Sequence, residues 1–281
     1  MTDTTHGILI GYDGSPGSEQ ALGWALQEAR WRDAVLTVCH AWAPEHFPGS
    51  PGEGGTPDDA RRAGEQILAE ALRFARTVMG PATVRPLLAD GPPAQVLCGR
   101  SADADMVVVG ARGRGGLTGL LLGSVSQQVA GHAHGRVVVV RGHWHRAAEY
   151  VPGPVAVGAD GSAASRAAIG FAAEEAALRG VPLLAVCALA DTPGGLGGAG
   201  RMEEAVGQDI ARWEKEHPEV VIRPQVSPGQ PRTALLAAAR DAQLLVVGSC
   251  GRGGITGMPL GSVSQAMLYH CSCPVAVVRW R

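Results

Sequence analysis

Short apolar runs alternate with longer amphipathic stretches along the whole chain. In the first half the apolar runs lie at 7–10, 34–39, 84–88, 106–109 and 136–141. Between them, apolar residues recur at helical spacing over 18–32, 59–78 and 94–101, and a further helix is predicted from 125 onward. Continuous apolar strands separated by helices are typical of a parallel sheet that is covered on both faces. The pattern predicts an α/β unit with five strands.

The second half repeats this succession. Strands are predicted at 154–157, 182–187, 220–226, 244–247 and 274–279, and helices at 165–179, 202–216, 232–240 and from 263 onward. A period of about 140 residues is too long for a solenoid repeat and indicates a duplicated domain. We therefore predict two tandem open parallel five-stranded sheets with helices on both faces. The predicted boundaries are 1–142 for the first domain, 143–153 for a linker and 154–281 for the second domain.

A glycine-rich loop follows the fourth predicted strand in each half. The first runs from Gly110 through Gly113 to Gly123-Ser124, and the second has the same spacing 138 positions later. A buried strand, a glycine-rich loop and a helix start together present backbone N–H groups to an anion. The glycines are expected to allow positive φ and to let the backbone approach a ligand closely. The glycines and serines of the second loop are Gly248, Gly251, Gly261 and Ser262.

Four side chains of these loops have a predicted role. Ser124 and Ser262 are expected at the N-cap position of the following helices, with hydroxyls free to cap the helix or to bind phosphate. Arg114 is a candidate for neutralising a phosphate, as is Arg252 in the second loop, although exposed arginines are often only solvated.

An aspartate follows the first predicted strand of each half, in the turns Asp13-Gly-Ser and Asp160-Gly-Ser. In a doubly wound sheet, ligands bind outside the carboxyl ends of the strands where the strand order reverses. If strands 1 and 4 flank that point, each aspartate meets the glycine-rich loop of its own half. There it can accept hydrogen bonds from a ribose or a base, or hold Mg²⁺ through water. The alternative is a structural aspartate that stabilises its own turn; its repetition favours the ligand role.

Charge, composition and the motifs that are missing exclude several classes of function. The net charge of −2 gives no reason to expect nucleic acid or an anionic membrane as a partner, and no apolar run approaches the roughly 20 residues that span a bilayer. The six cysteines are scattered, as expected for free thiols in the cytoplasm. Cys271-Ser-Cys273 with His270 lacks the ligand spacing of a structural zinc site. The phosphate-binding loop with a lysine and the dinucleotide fingerprint are both absent, and no set of catalytic residues repeats in both halves. We therefore assign no catalytic residues.

The glycine-rich loop and the aspartate turn together resemble the motifs of a known protein family. The spacing Gly-x₂-Gly-x₉-Gly-Ser, with Gly-x-Asp-Gly-Ser beginning upstream at Gly11 and Gly158, resembles the ATP-binding class of universal stress proteins over essentially the whole chain. The resemblance implies a five-stranded parallel sheet of order 3-2-1-4-5. It also implies that the loop glycines and the following Ser-x-Ser hold the phosphates and ribose, and that the ends of strands 1, 2 and 4 line the adenine and ribose pocket. The Ser-x-Ser and pocket positions are Ser124, Val125, Ser126, Asp13, His40, Ala41 and Val109 in the first half, and Ser262, Val263, Ser264, Asp160, Ala188, Leu189 and Val247 in the second. The second half has no residue like His40.

The expected function is that of an ATP-binding stress-response sensor or regulator. Mg²⁺ is a candidate for binding together with the nucleotide, and ATP is expected to be hydrolysed slowly at most. The alternatives are a nucleotide-hydrolysing or phosphotransfer enzyme, and an interaction scaffold without a ligand. The family's fifth strand mediates dimerisation, so residues 137–140 and 275–278 are expected to pair within the chain as a pseudo-dimer. A second copy of the chain, in a homodimer, and an unidentified regulatory protein are the other expected partners.

Overall fold

The computed structural model describes residues 7–42, 56–114, 121–141, 153–189, 196–251 and 258–280. The chain divides into two compact units, Met1–Trp144 and His145–Arg281. The expected linker at 143–153 falls almost entirely outside the described residues.

Strands and helices alternate in the first unit as the hydrophobic pattern predicts. Its elements are β1 (Ile8–Gly11), α1 (Pro16–Trp31), β2 (Leu36–Trp42), α2 (Pro57–Met79), β3 (Val84–Asp90), α3 (Pro93–Arg100), β4 (Met106–Gly110), α4 (Ser124–His132) and β5 (Arg136–Val140). A short 3₁₀ helix, Ser101–Asp103, precedes β4.

The second unit has the same succession. Its elements are β6 (Val155–Gly158), α5 (Ala163–Arg179), β7 (Leu183–Leu189), α6 (Leu196–Glu216), β8 (Ile222–Pro228), α7 (Pro231–Ala238), β9 (Leu244–Gly248), α8 (Ser262–His270) and β10 (Val275–Val278). None of the described helices in either unit is long and apolar enough to cross a membrane.

The strand order within each unit places the first and fourth strands side by side. The order is β3-β2-β1-β4-β5 in the first unit and β8-β7-β6-β9-β10 in the second. β1 pairs in parallel with β2 on one side and with β4 on the other, and β6 pairs likewise with β7 and β9. The predicted α/β class, the tandem duplication and the parallel pairing are confirmed. The order reverses between β1 and β4, and between β6 and β9.

Burial follows position in the sheet. All five residues of β4 are buried, because helices cover the central strands on both faces. The outer strands β3 and β8 are largely exposed and carry Pro86 and Pro224 at the same register position. Proline has no N–H to offer to a further strand, so these residues block pairing at the outer edges.

The N-caps of α1 and α5 are not the serines that the sequence pattern favours. Ser18 and Ser165 are plausible N-caps by pattern, but the caps are Ser15 and Ser162, whose side chains accept hydrogen bonds from the backbone N–H of Ser18 and Ser165. Each helix therefore begins about one turn earlier, directly after the Asp-Gly-Ser turn. The aspartate and the helix start form one continuous structure.

The expectation that Ser124 and Ser262 cap α4 and α8 is wrong. Both serines are the first helical residues, and Gly123 and Gly261 occupy the cap position without a side-chain hydrogen bond. Glycine has no side-chain oxygen with which to accept the first N–H groups of the helix. These donors are among the four that an α-helix leaves without an internal partner.

Candidate functional site

The turn after β1 and the loop after β4 meet at the carboxyl end of the first unit's sheet. Ile10 of β1 is in register with Val108 of β4, so the segments that follow both strands leave the sheet side by side. The Asp13 Oδ2 atom accepts a hydrogen bond from the backbone N–H of Arg114 at 2.9 Å. The Asp13 Oδ1 atom accepts one from the Ser15 backbone N–H at 3.0 Å and one from the Ser15 hydroxyl at 2.5 Å. The predicted meeting of Asp13 with the glycine-rich loop is present.

The aspartate of each unit leaves no room for a side chain at one glycine of the loop. A β-carbon built on Gly113 would lie 2.4 Å from the Asp13 Oδ2 atom, and one built on Gly251 would lie 2.6 Å from the Asp160 Oδ2 atom. Distances below about 3 Å leave no room for a methyl group between the loop and the carboxylate. In both units the aspartate and the loop approach each other as closely as glycine permits.

The expectation of positive φ in these loops is wrong for the glycines described. Gly110, Gly113, Gly123, Gly248, Gly251 and Gly261 all lack left-handed φ values. The left-handed glycines lie instead in the Asp-Gly-Ser turns, where φ is +75° at Gly14 and +74° at Gly161. Gly110 and Gly248 are needed for another reason, since a β-carbon on either would collide with the first turn of α1 or α5.

Asp13 is held in its ionised form. Burial alone would raise the pKa of this carboxyl, but the hydrogen bonds from Ser15, Arg114 and Ser18 outweigh burial and lower the pKa below its ordinary value. Asp13 is therefore an acceptor of hydrogen bonds at neutral pH. In the second unit the Asp160 Oδ1 atom likewise accepts a hydrogen bond from the Ser162 N–H at 2.9 Å. Arg252, the counterpart of Arg114, lies outside the described residues.

The two ends of each glycine-rich loop are tied to each other and to the sheet. In the first unit, Ala111 donates its N–H to the Val140 carbonyl at 2.7 Å, and Gly123 donates its N–H to the Ala111 carbonyl at 2.8 Å. In the second unit, Ser249 and Gly261 make the equivalent bonds at 2.8 and 2.7 Å. The loop therefore leaves the sheet and enters α4 or α8 at one point.

An arginine at the end of each fifth strand contacts the returning arm of the loop, and sequence reasoning did not assign it a role. Arg141 donates from its guanidinium to the Leu121 carbonyl at 2.7 Å, and Arg279 donates to the Pro259 carbonyl at 3.4 Å. The signal was available in the sequence, because both arginines end the fifth strand and lie 138 positions apart. Nothing in their spacing showed that they reach the loop.

The Ser-x-Ser segments divide into an open part and a buried part. Ser126 and Ser264 are buried, and their hydroxyls donate to the carbonyls of Gly110 and Gly248, both at 2.6 Å. These two serines join the start of the helix to the end of β4 or β9. Ser124 and Ser262 are exposed, while Val125 and Val263 are half-buried, so the first turn of α4 and of α8 faces solvent.

Several predicted pocket residues lie away from the loop. A β-carbon on Gly11 would lie 2.7 Å from Leu97 of α3 and 3.3 Å from Val109, so these residues pack between the sheet and a helix. Gly158, Leu235 and Val247 are arranged in the same way in the second unit, at slightly longer distances. Ala41, Ala188 and Leu189 are half-buried at the ends of the second strands, where a ligand could still reach them.

His40 packs between β2 and α2. Its Nδ1 atom lies 2.8 Å from the Tyr12 carbonyl oxygen, which can only accept, so Nδ1 carries a proton. A β-carbon on Gly64 of α2 would lie 3.1 Å from the ring. Among the described residues, the Nε2 atom has no hydrogen-bond partner. In the second unit Cys187 takes this place in the register.

A metal site made of side chains alone is not among the described residues: they contain no group of three or more histidines, cysteines or acids placed to hold an ion. Around Asp13, the two carboxylate oxygens already accept three hydrogen bonds. Magnesium near Asp13 or Asp160 stays a prediction that depends on a bound nucleotide.

The chain matches known proteins along its full length. The model of the universal stress protein family matches it twice, at residues 5–141 and 153–279. A universal stress protein of Mycolicibacterium smegmatis is 38% identical over 291 residues, which cover 99% of this chain and 98% of that protein. One from Mycobacterium tuberculosis is 36% identical over 98% of this chain and 97% of its own length. Among solved structures, a universal stress protein from Archaeoglobus fulgidus has the same fold, with a TM-score of 0.70, 20% identity and coverage of 98% and 96%.

Proposed function

Because this chain belongs to the universal stress protein family, we propose that it is an ATP-binding regulatory protein with one nucleotide site in each half. The observation that supports this most is the repeated contact between an aspartate after the first strand and a glycine after the fourth. In both units the loop is folded so closely onto the carboxylate that a methyl group on Gly113 or Gly251 would collide with it. This arrangement lies where the strand order reverses, the position at which doubly wound sheets bind ligands.

The geometry suggests how the parts of a nucleotide would be held. The loop and the solvent-facing first turn of α4 or α8 offer backbone N–H groups and the positive end of the helix dipole to the phosphates. Asp13, ionised and acceptor-only, suits the hydroxyl groups of a ribose. The half-buried Ala41, and Ala188 with Leu189 in the second unit, leave space for a base at the ends of the second strands.

We expect a binding protein with at most slow hydrolysis. Enzymes that transfer phosphoryl groups use a positively charged clamp and a residue that positions the nucleophile. The sequence contains one lysine, Lys215, which lies in the last turn of α6. Asp13 is engaged by the loop and its own turn, so it is poorly suited to act as a base. A hydrolytic enzyme and a scaffold without a ligand are the alternatives that the experiment must separate from regulation.

The remaining assignments are also proposals. None of the six cysteines, all of which lie within the described residues, forms a disulfide, which suits the reducing cytoplasm. A regulatory role requires a protein partner, whose identity we do not assign. The pairing of residues 137–140 with 275–278 as a pseudo-dimer is proposed on the family resemblance alone.

The test is to purify the full chain without added nucleotide, denature it and identify the released nucleotides by mass spectrometry. We expect adenine nucleotide from the wild type and a reduced amount from the double variant Asp13→Ala/Asp160→Ala. A parallel measurement of phosphate release from radiolabelled ATP separates the alternatives. Sustained multiple turnover would favour the enzyme, and a protein that neither retains nor binds added ATP would favour the scaffold.

A further inference from the structure

Two cysteines are in contact in the turn between α8 and β10. The Sγ atoms of Cys271 and Cys273 lie 3.4 Å apart, and both residues are buried. Cys271 is the first residue after α8, where its N–H donates to the Met267 carbonyl at 2.9 Å. A disulfide has an S–S bond of about 2.05 Å. The two sulfur atoms therefore need to approach by little more than an ångström to be joined.

The backbone on both sides of the two thiols is fixed. The hydroxyl of Ser272, between them, donates to the Ala239 carbonyl at the end of α7 at 3.3 Å. The Pro274 carbonyl accepts the N–H of Leu245 at 3.0 Å at the start of β9. These anchors keep the two cysteine side chains on one side of the turn. Holding two reacting groups in contact raises the rate of their reaction far above that of free thiols in solution.

The first unit shows that this turn does not need sulfur. Ala133 and Gly135 occupy the equivalent positions between α4 and β5, and Ala133 makes the same backbone bond to the preceding helix. Gly135 has a left-handed φ of +71°, whereas Cys273 does not adopt such a φ. The same helix-turn-strand connection is thus built with a methyl group and no side chain in one unit, and with two thiols in the other.

The contact between the sulfur atoms also affects the acidity of the pair. The hydrogen bond with Cys271 and the burial of the site raise the pKa of the Cys273 thiol. The thiolate is the nucleophilic form of cysteine. Either sulfur can make the first attack, because the other is in contact with it and can resolve the mixed disulfide.

We propose that Cys271 and Cys273 are a site of reversible oxidation that closes to an intramolecular disulfide, a property of the second unit only. With a small disulfide such as oxidised glutathione as the oxidant, the thiolate of one cysteine of the pair attacks one sulfur and expels one glutathione thiolate, which takes up a proton. The other cysteine then loses its proton and attacks the sulfur of the first, which expels the second glutathione thiolate, and this thiolate also takes up a proton. Two protein thiols are oxidised, and one glutathione disulfide is reduced to two thiols.

Burial sets the pace of this reaction. The first step requires the end of α8 to open far enough to admit the oxidant, so the reaction is limited by local opening. The second step needs no further opening because the resolving sulfur is already in contact. The mixed disulfide with glutathione therefore does not accumulate at either cysteine. Oxidation of Cys271 and Cys273 does not depend on nucleotide binding.

The experiment exposes the folded full chain to glutathione buffers of increasing oxidised fraction, quenches it with acid, alkylates the free thiols and digests it with trypsin. Cleavage after arginine leaves a peptide, 253–279, that contains Cys271 and Cys273 as its only cysteines. We expect this peptide to lose two hydrogen atoms and both alkylation sites. The intramolecular disulfide should exceed the mixed disulfide by about tenfold or more. Addition of dithiothreitol should return the peptide to the doubly alkylated form.

Cys271→Ala, which copies Ala133 of the first unit, and Cys273→Ala are the matched variants. Each should remain folded, as judged by circular dichroism. Neither should form the 253–279 peptide that has lost two hydrogen atoms. The exposed Cys250 reports that the oxidant is active, because it should acquire glutathione in all three proteins. A wild-type peptide that stays doubly alkylated while Cys250 is modified would overturn the proposal, as would oxidation seen only after denaturation.

Discussion

Contact between one glycine and one aspartate defines each candidate site at the scale of single residues. The sequence predicted that Asp13 and the loop beginning at Gly110 would meet, since both follow strands that a doubly wound sheet places side by side. One of the two roles predicted for the glycines, a positive φ, is wrong. Gly113 is needed because the Asp13 carboxylate occupies the space of its missing side chain, and the left-handed backbone lies at Gly14 instead. A sequence shows where glycines lie, but their close contacts arise only when distant segments pack.

The first prediction concerns Gly113→Ala and Gly251→Ala. Each added methyl group would push the loop away from its aspartate; in the first unit this breaks the bond between the Arg114 N–H and Asp13. Loss of such a charged hydrogen bond costs about 1–3 kcal/mol, so ATP affinity in the altered half should fall by about tenfold or more. The other half should be little affected, because distant sites behave independently.

Gly99→Ala and Gly207→Ala are the controls for the two halves. Both glycines lie in helices with nothing within 4 Å of the built β-carbon, so alanine should leave binding unchanged. The measurement is calorimetric titration with ATP. Unchanged affinity in both loop variants would mean that the loops are structural turns without a role in binding.

The second prediction concerns the charge of Asp13. The pKa of this carboxyl is lower in the folded protein than its ordinary value of 3.8. Its contribution to stability is therefore fully present above the ordinary pKa and is lost as pH falls through the lowered one. In Asp13→Asn, the amide would place a donor against the Arg114 or Ser15 donors, so the variant should be less stable at neutral pH.

The check is a series of denaturant unfolding curves for both proteins from about pH 7 to pH 2. The gap between their free energies of unfolding should stay constant down to the ordinary pKa and narrow below it. A gap that does not change with pH would show that the carboxylate charge plays no part.

At the scale of elements, the sequence predicted each strand and α-helix among the described residues but placed many ends incorrectly. Apolar runs determine which segments are buried, and burial does not depend on the last residue of an element. The ends depend on caps, and the sequence offers several candidates close together. Ser15 caps α1 although Ser18 is equally suitable by type, and Gly123 takes the cap position that Ser124 was expected to fill. The closure of the glycine-rich loop by Arg141 and Arg279 depends on contacts across the sheet end, which periodicity does not reveal.

The third prediction tests these arginines as positioning residues for the loop. Arg141→Met and Arg279→Met remove the bonds to the Leu121 and Pro259 carbonyls. The returning arm of the loop and the entry to α4 or α8 should then be less ordered, and phosphate binding should weaken. ATP affinity of the altered half should fall by about five- to tenfold, equivalent to about 1 kcal/mol for one lost hydrogen bond.

Lysine variants at the same positions keep the charge but not the planar guanidinium, and they should recover only part of the affinity. Titrations with ATP and with adenosine separate positioning from a general loss of structure. Equal weakening for both ligands would contradict a role at the phosphates.

Duplication is the main feature of the whole molecule, and the sequence showed it clearly. The glycine-rich loops recur 138 positions apart, and the units match strand by strand and in the backbone hydrogen bonds at the two ends of each loop. The copies have diverged at a few positions within this common framework. Cys187 occupies the position in the second unit that His40 occupies in the first. Cys271 and Cys273 likewise occupy the positions of Ala133 and Gly135. Such differences become informative only when the structure shows that they occupy equivalent places.

The fourth prediction concerns the association of the halves. If residues 137–140 and 275–278 pair as the family resemblance implies, the halves should stay together when the connecting chain is cut. A protease site inserted between residues 143 and 153 allows one cleavage in the native protein. The two fragments should elute together in size-exclusion chromatography and separate only in denaturant. Separation under native conditions would contradict the pseudo-dimer.

The number of nucleotides bound per chain tests the central claim most directly. Because the contact between aspartate and glycine is present in both units, calorimetric titration of nucleotide-free protein with ATP and Mg²⁺ should give two sites per chain. The double variant Gly113→Ala/Gly251→Ala should lose most of the heat of binding. A stoichiometry of one would contradict the equivalence of the halves, and no binding at saturating ATP would contradict the proposed function itself.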